Sequence, residues 1–124
     1  MQTSVPFQYT TTASTNLTNV SGASETAKLT GYAIVNNNAA AAPIFVKFYW
    51  SKQGEVPVVG TTIPDITVGI AGGTSPVFGG AYASYANAVG KMGQMWMWVT
   101  ALAVPTDTTA TGAGDGIITL FLQH

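Results

Sequence analysis

Hydrophobic and polar residues alternate along several short stretches of the chain, with period two rather than 3.6, which predicts strands rather than helices. In TAKLTGYAIVN, residues 26–36, Lys28, Thr30, Tyr32 and Ile34 alternate with Leu29, Gly31, Ala33 and Val35. In IFVKFYW, residues 44–50, Ile44, Val46, Phe48 and Trp50 share one side; Phe45, Lys47 and Tyr49 share the other, with Lys47 expected to face outward. ITVGI puts Ile66, Val68 and Ile70 in register, and IITLFLQ does the same for Ile118, Leu120 and Leu122. The strand expected over KMGQMWMWVTAL, residues 91–102, is different. Met92, Gln94, Trp96, Trp98, Thr100 and Leu102 fall on one face and Gly93, Met95, Met97, Val99 and Ala101 on the other, so both faces are largely apolar. A strand on a solvated sheet alternates apolar with polar, so this one needs cover on both sides.

Turn chemistry separates these runs. Three Asn and Pro43 around AAAA favour a loop over a short helix. SKQGEVPVVGTTIPD is punctuated by Gly54, Pro57, Gly60 and Pro64, and AVPTDTTATGAGDG is rich in turn formers. Residues 77–90 read as a strand start followed by a loop. Short strands between Gly/Pro loops predict an all-β domain, a β-sandwich or jelly roll whose two sheets pack through their inner faces. Residues 1–24 carry no charge and are rich in Thr, Ser and Asn. They are expected to form an extended N-terminal arm, either a tail or a strand added to a neighbour, leaving residues 25–124 as the sandwich domain.

Composition narrows the function. The 124 residues suit one domain. Only 7% are charged and 47% are hydrophobic, against roughly 25% charged in an average soluble domain. Mean hydropathy is +0.29. Apolar stretches such as MWMWV end well short of the roughly 20 residues of a membrane span, and MQTSVPFQYTTTAST lacks the basic start and apolar core of a secretory signal. The remaining reading is a surface covered by other protein, since interface cores are poor in charge and rich in aromatics and Met. The second face of residues 91–102 is then covered either by a symmetry-related copy or its arm, or by the Tyr82–Val89 segment of the same chain. The interface candidates are Trp96, Trp98, Met95 and Met97, with Phe7 and Tyr9 from the arm.

Net charge is −1, and four scattered lysines with no Arg cannot build a basic groove, so nucleic acid is not expected as a partner. There is no cysteine for disulfides or thiolate metal sites. The only histidine is the last residue, His124, and without it no Ser-His-Asp or Cys-His constellation can be assembled, so neither catalysis nor a cofactor is expected. Asp107 and Asp115 share one loop without EF-hand spacing; they read as turn-capping carboxylates rather than cation ligands. GIAGG and GAGDG lack the Lys and the helix of a phosphate loop. Trp50, Trp96 and Trp98 lie within apolar strands, which favours packing over a sugar-stacking platform.

Two blocks, VNNNAAAAPIFVKFYWSKQGEVPVVGTTIPDITVGI and AVPTDTTATGAGDGIITLFL, resemble small all-β virion proteins from the structural gene modules of tailed bacteriophages and prophages. Val46 to Tyr49 match a V-K-x-Y strand, Pro57 to Thr61 a P-x-V-G-T loop, and Asp107 to Ala110 with Gly114 and Asp115 a D-T-T-A loop and Gly-Asp turn. The resemblance extends from Thr26 onward. It departs at Trp50, Ser51 and the Met/Trp-rich strand. It implies a virion component, does not itself distinguish head from tail, and carries over no catalytic residues. The expected role is a capsid decoration or cement protein that binds the major capsid protein on the capsid exterior, as a homotrimer or other symmetric homo-oligomer. The alternative is a tail or fibre module that binds a host-surface receptor.

Overall fold

The fold was derived from a computed structural model, which describes residues 5–21, 27–38, 40, 42–52, 54–72, 77–80 and 94–123. The strands are β1 (Val5–Thr10), β2 (Thr18–Asn19), β3 (Lys28–Asn36), β4 (Ile44–Ser51), β5 (Ile66–Ile70), β6 (Val77–Gly80), β7 (Gln94–Thr100) and β8 (Gly116–Gln123). They form two four-stranded sheets, ordered β1-β8-β3-β6 and β2-β7-β4-β5. Every ladder is antiparallel. The first four strands therefore pair with the last four in reverse order, β1 with β8, β2 with β7, β3 with β6 and β4 with β5. This is one long antiparallel ribbon rolled so that β8 also meets β3 and β7 also meets β4, the jelly-roll arrangement of a β-sandwich.

The inner faces supply the core. Val46, Phe48 and Trp50 of β4 and Met95, Met97 and Val99 of β7 face Leu29 and Ile34 of β3 and Ile118, Leu120 and Leu122 of β8. Burying a side chain of this size contributes about 1.5–3 kcal/mol. The indole of Trp50 is fully enclosed and its Nε1 donates to the Ala27 carbonyl at 2.9 Å, so its polar atom is satisfied inside the core.

The alternation expected in β3 is interrupted. A β-bulge shifts the register between Leu29 and Gly31. Leu29, Tyr32 and Ile34 are consequently all buried, whereas strict alternation sets Leu29 on the opposite face from the other two. The extra residue resets the pleat and bends the strand.

The segment expected as an arm is built into the domain over its described residues. β1 is an edge strand paired with β8 from Val5↔Leu122 to Thr10↔Ile117, and β2 pairs with β7. Phe7 and Tyr9 pack against the domain's own core. Pro6 lies on this edge strand, where a missing N–H is tolerated. The chain passes from one sheet to the other through a turn organised by Asn16, a buried residue with φ 59°. Its Oδ1 accepts from Tyr9 Oη and the Thr12 N–H, both at 2.8 Å, and its Nδ2 donates to the Ser14 carbonyl at 2.5 Å. Asn tolerates this left-handed geometry because its short polar side chain bonds locally.

One polar side chain joins the layers, and another ties the end of β1 to β8 where the sheets approach closely. Asn36 Nδ2 donates to the Ile70 carbonyl of the other sheet at 3.0 Å. Thr11 Oγ1 accepts from the Gly116 N–H at 2.9 Å, and a Cβ on Gly116 would lie 2.9 Å from Ile44 Cδ1. Leu120 sits at the centre of the β1-β8-β3 sheet with no exposed surface. Leu120→Ala is expected to lower unfolding free energy by about 2–5 kcal/mol. Urea denaturation checks this; a loss below about 1 kcal/mol would show that the two sheets do not close over this residue as described.

Candidate interaction surfaces

The outer face of the β2-β7-β4-β5 sheet explains how a doubly apolar strand is accommodated. Cross-strand pairing places Lys47 beside Trp98, Tyr49 beside Trp96, and Asn19 on the other side of Trp96. Tyr49 and Trp98 rings lie 6.4 Å apart at a 50° tilt. Trp98 and Lys47 are 0% exposed and Tyr49 only 6%, although all three point away from the sandwich core.

Two connections of the same chain lie over this face. From residues 101–115, the Val104 carbonyl accepts from Lys47 Nζ at 2.9 Å. From residues 52–65, Glu55 Oε1 accepts from Tyr49 Oη at 2.5 Å. The connections also touch each other: Gly60, with φ +92°, is so close to the neighbouring loop that a Cβ would lie 2.7 Å from Thr108 Cγ2. Asp107 closes its own loop by accepting the Leu102 and Thr109 N–H groups at 2.9 and 3.0 Å. Asp115 accepts the Gly112 N–H at 3.0 Å and Asn38 Nδ2 at 2.8 Å. Both carboxylates thus cap turns, as their loop context suggests. Among the described residues no group of three or more His, Cys, Asp or Glu side chains converges to hold a metal ion, and no helix is long and apolar enough to cross a membrane.

Charge on this face follows from its cover. Burial pushes the Lys47 ammonium below its ordinary value, partly offset by the nearby Asp107 carboxylate. Burial alone would raise Asp107, but bonds from the Thr109 hydroxyl and N–H, the Leu102 N–H and the Lys47 charge hold its carboxyl below the usual range. The hydrogen bond to Glu55, together with burial, pushes Tyr49 up to about 12. Ser51 Oγ, Trp96 Nε1 and Trp98 Nε1 are buried on the same face with no hydrogen-bond partner among the described residues.

These placements move the interface candidates. Met95 and Met97 point into the core, and Trp98 has no exposed area, so none of the three offers contact surface to another molecule. Trp96 is half-buried, and Phe7 and Tyr9 pack on their own core. The Tyr82–Val89 segment and His124 lie outside the described residues. Exposed apolar surface occurs instead on the covering loops. Val56, Val58, Ile63, Leu102 and Val104 are each 52–60% exposed, five of the seven exposed large hydrophobics among the described residues. The readable signal was aliphatic residues in Gly/Pro-rich segments where no turn requires them.

The opposite surface is the outer face of β1-β8-β3-β6. Its described outward side chains are Pro6, Gln8 and Thr10 on β1, Ile117, Thr119 and Phe121 on β8, and Ala33 and Val35 on β3. No protein-family model, curated protein or solved structure matches the chain.

Two measurements test the covered face. Because the folded ammonium of Lys47 loses its proton before the unfolded one, the unfolded state binds more protons in the interval below the ordinary value of 10.5. Stability of the natural protein is therefore expected to rise with pH as it climbs through the lowered value, and Lys47→Met is expected to lose that rise. Urea unfolding between neutral pH and the onset of tyrosine ionisation reads this; parallel profiles for the two proteins would contradict a buried Lys47. Gly60→Ala is expected to cost about 1–3 kcal/mol through its left-handed backbone and the Thr108 clash. An unchanged thermal midpoint would show that the two loops do not touch.

Proposed function

We propose that the protein is a structural component of a tailed-bacteriophage virion, a decoration or cement protein that seats on the outer surface of the head. The observation that carries this reading is the aliphatic patch on two adjoining loops, Val56, Val58 and Ile63 on one and Leu102 and Val104 on the other. Exposed apolar clusters of this kind mark contact surfaces. The backbone under the patch is pinned by Lys47, Asp107 and Thr62, whose Oγ1 accepts the Val58 N–H at 2.8 Å. A pre-ordered surface loses little entropy on docking.

The resemblance of the loop and strand blocks to phage virion proteins supplies the class. A jelly roll is compatible with it but, as a fold shared by capsid, lectin and enzyme domains, does not select it. On the same loops stand Glu55, Asp65 and Asp107, with Lys52 exposed at the start of the first. The complementary partner surface on the major capsid protein is apolar with basic residues at its margin. Bound where capsomers meet, such a subunit adds interface area that must be broken before the shell can open under internal pressure.

Immunogold electron microscopy of purified particles, with antibody against residues 26–124, tests the assignment. Label over heads is expected; label on tails or fibres would favour a receptor-binding module, and no label would remove the protein from the virion. On heads lacking the protein, Val58→Asp with Leu102→Asp is expected to weaken rebinding by at least about tenfold, the equivalent of roughly 1.4 kcal/mol.

A further inference from the structure

We infer that Asp115 is a latent modification site, where the backbone isomerises to isoaspartate through a succinimide whenever the end of β1 is not docked on the start of β8. Of the three aspartates only Asp115 is followed by glycine, and no asparagine is. Succinimide closure is fastest in such pairs, because glycine has no side chain to shield its nitrogen from the preceding carboxyl. Packing requires this glycine: a Cβ on Gly116 would lie 2.9 Å from both Ile44 Cδ1 and Thr11 Cγ2. The turn requires the aspartate, whose Oδ2 caps the Gly112 N–H. The fold therefore keeps a reactive pair at the entry to β8.

The reaction needs only water and a proton from solvent, both returned at the end. With the Asp115 carboxyl protonated, the Gly116 nitrogen attacks Cγ; a C–N bond forms, a C–O bond breaks, and the amide proton leaves with the carboxyl hydroxyl as water. Water then reopens the ring at either of its carbonyls. One opening restores Asp115. The other leaves the main chain running through Cβ, one carbon longer and unchanged in mass. That insertion falls where β8 begins its ladders with β3 and β1, at Asn36↔Gly116 and Thr10↔Ile117.

In the folded chain the peptide unit that must rotate for ring closure is clamped on both sides. Its carbonyl, that of Asp115, accepts from the Asn37 N–H at 2.6 Å, and its N–H, that of Gly116, donates to Thr11 Oγ1 at 2.9 Å. The Asp115 carboxylate is held in turn by the Gly112 N–H at 3.0 Å and Asn38 Nδ2 at 2.8 Å. Closure depends on an oriented approach of nitrogen to carbon, so tying both to other partners slows it. Thr11 is the guard on the nucleophile. It follows β1 directly, and its backbone also donates to the Gly116 carbonyl and accepts from the Gly114 N–H. Release of that short segment frees the Gly116 nitrogen.

The test follows isoaspartate at residue 115, by methyltransferase labelling and fragment mass spectrometry, while the full chain is warmed at neutral pH. The natural chain unfolded in guanidinium is expected to accumulate it at least about tenfold faster than the folded natural chain, and folded Thr11→Val about tenfold faster. Thr11→Ser keeps the hydroxyl and is expected to stay at the natural rate. Circular dichroism confirms that the variants fold; Asn38→Ala, which frees one side of the carboxylate, replaces Thr11→Val if that variant does not. Equal rates in the folded and unfolded natural chain would overturn the inference. So would a folded Thr11→Val or Asn38→Ala no faster than the natural chain, or a Thr11→Ser as fast as Thr11→Val.

Discussion

The central strands β4 and β7 are buried on both faces, and much of the molecule is arranged around keeping water from the second one. A two-sheet sandwich protects only inner faces. The outer sides of Lys47, Tyr49 and Trp98 are enclosed because two long connections fold back and bond to them, through the Val104 carbonyl and the Glu55 carboxylate. Lys47 is the centre of this arrangement. Its stem fills space beside Trp98 while its ammonium, cut off from solvent, depends on a loop carbonyl and the nearby Asp107. A buried ammonium without such partners would be costly, so the position of the loop and the burial of the lysine require each other.

The same arrangement accounts for where the few charged residues stand. Asp65 accepts the Trp50 N–H, Asp107 the Leu102 and Thr109 N–H groups, and Asp115 the Gly112 N–H. These carboxylates hold backbone in place rather than decorate a solvated surface. What the covering loops expose is largely aliphatic, at Val56, Val58, Ile63, Leu102 and Val104.

Much of the sheet structure was legible in the sequence because period-two alternation is strong where one face is buried. Strands β3, β4, β5, β7 and β8 lie where the pattern predicts them, and the glycine- and proline-rich stretches are connections. β1 and β2 were less legible. Their apolar residues are diluted by Thr and Asn, and β2 is two residues long, so tertiary pairing rather than local pattern defines them. The bulge in β3 could not be read, since an inserted residue leaves the composition of both faces plausible. Alternation in β7 showed that a second face needed cover, but periodicity carries no information on what supplies it. The Met/Trp strand therefore suggested an interface, whereas Met95 and Met97 belong to the core and Trp98 lies beneath its own chain's surface. Lys47 illustrates the same limit: it does point away from the core, yet it is enclosed.

The reverse-order pairing of strands also has a consequence for how the molecule comes into being on the ribosome. β1 finds its ladder partner only in β8, more than a hundred residues later, and β3 must pair with the same strand. Among the described strands, only β4 and β5 form a ladder between successive ones. Until residues 116–123 emerge, the edge of β3 that pairs with β8 stays open and the described part of β1 has no ladder. The nascent chain must therefore carry unpaired strand edges until residues 116–123 have been made, a topology that places closure late and makes early handling of the chain by chaperones advantageous.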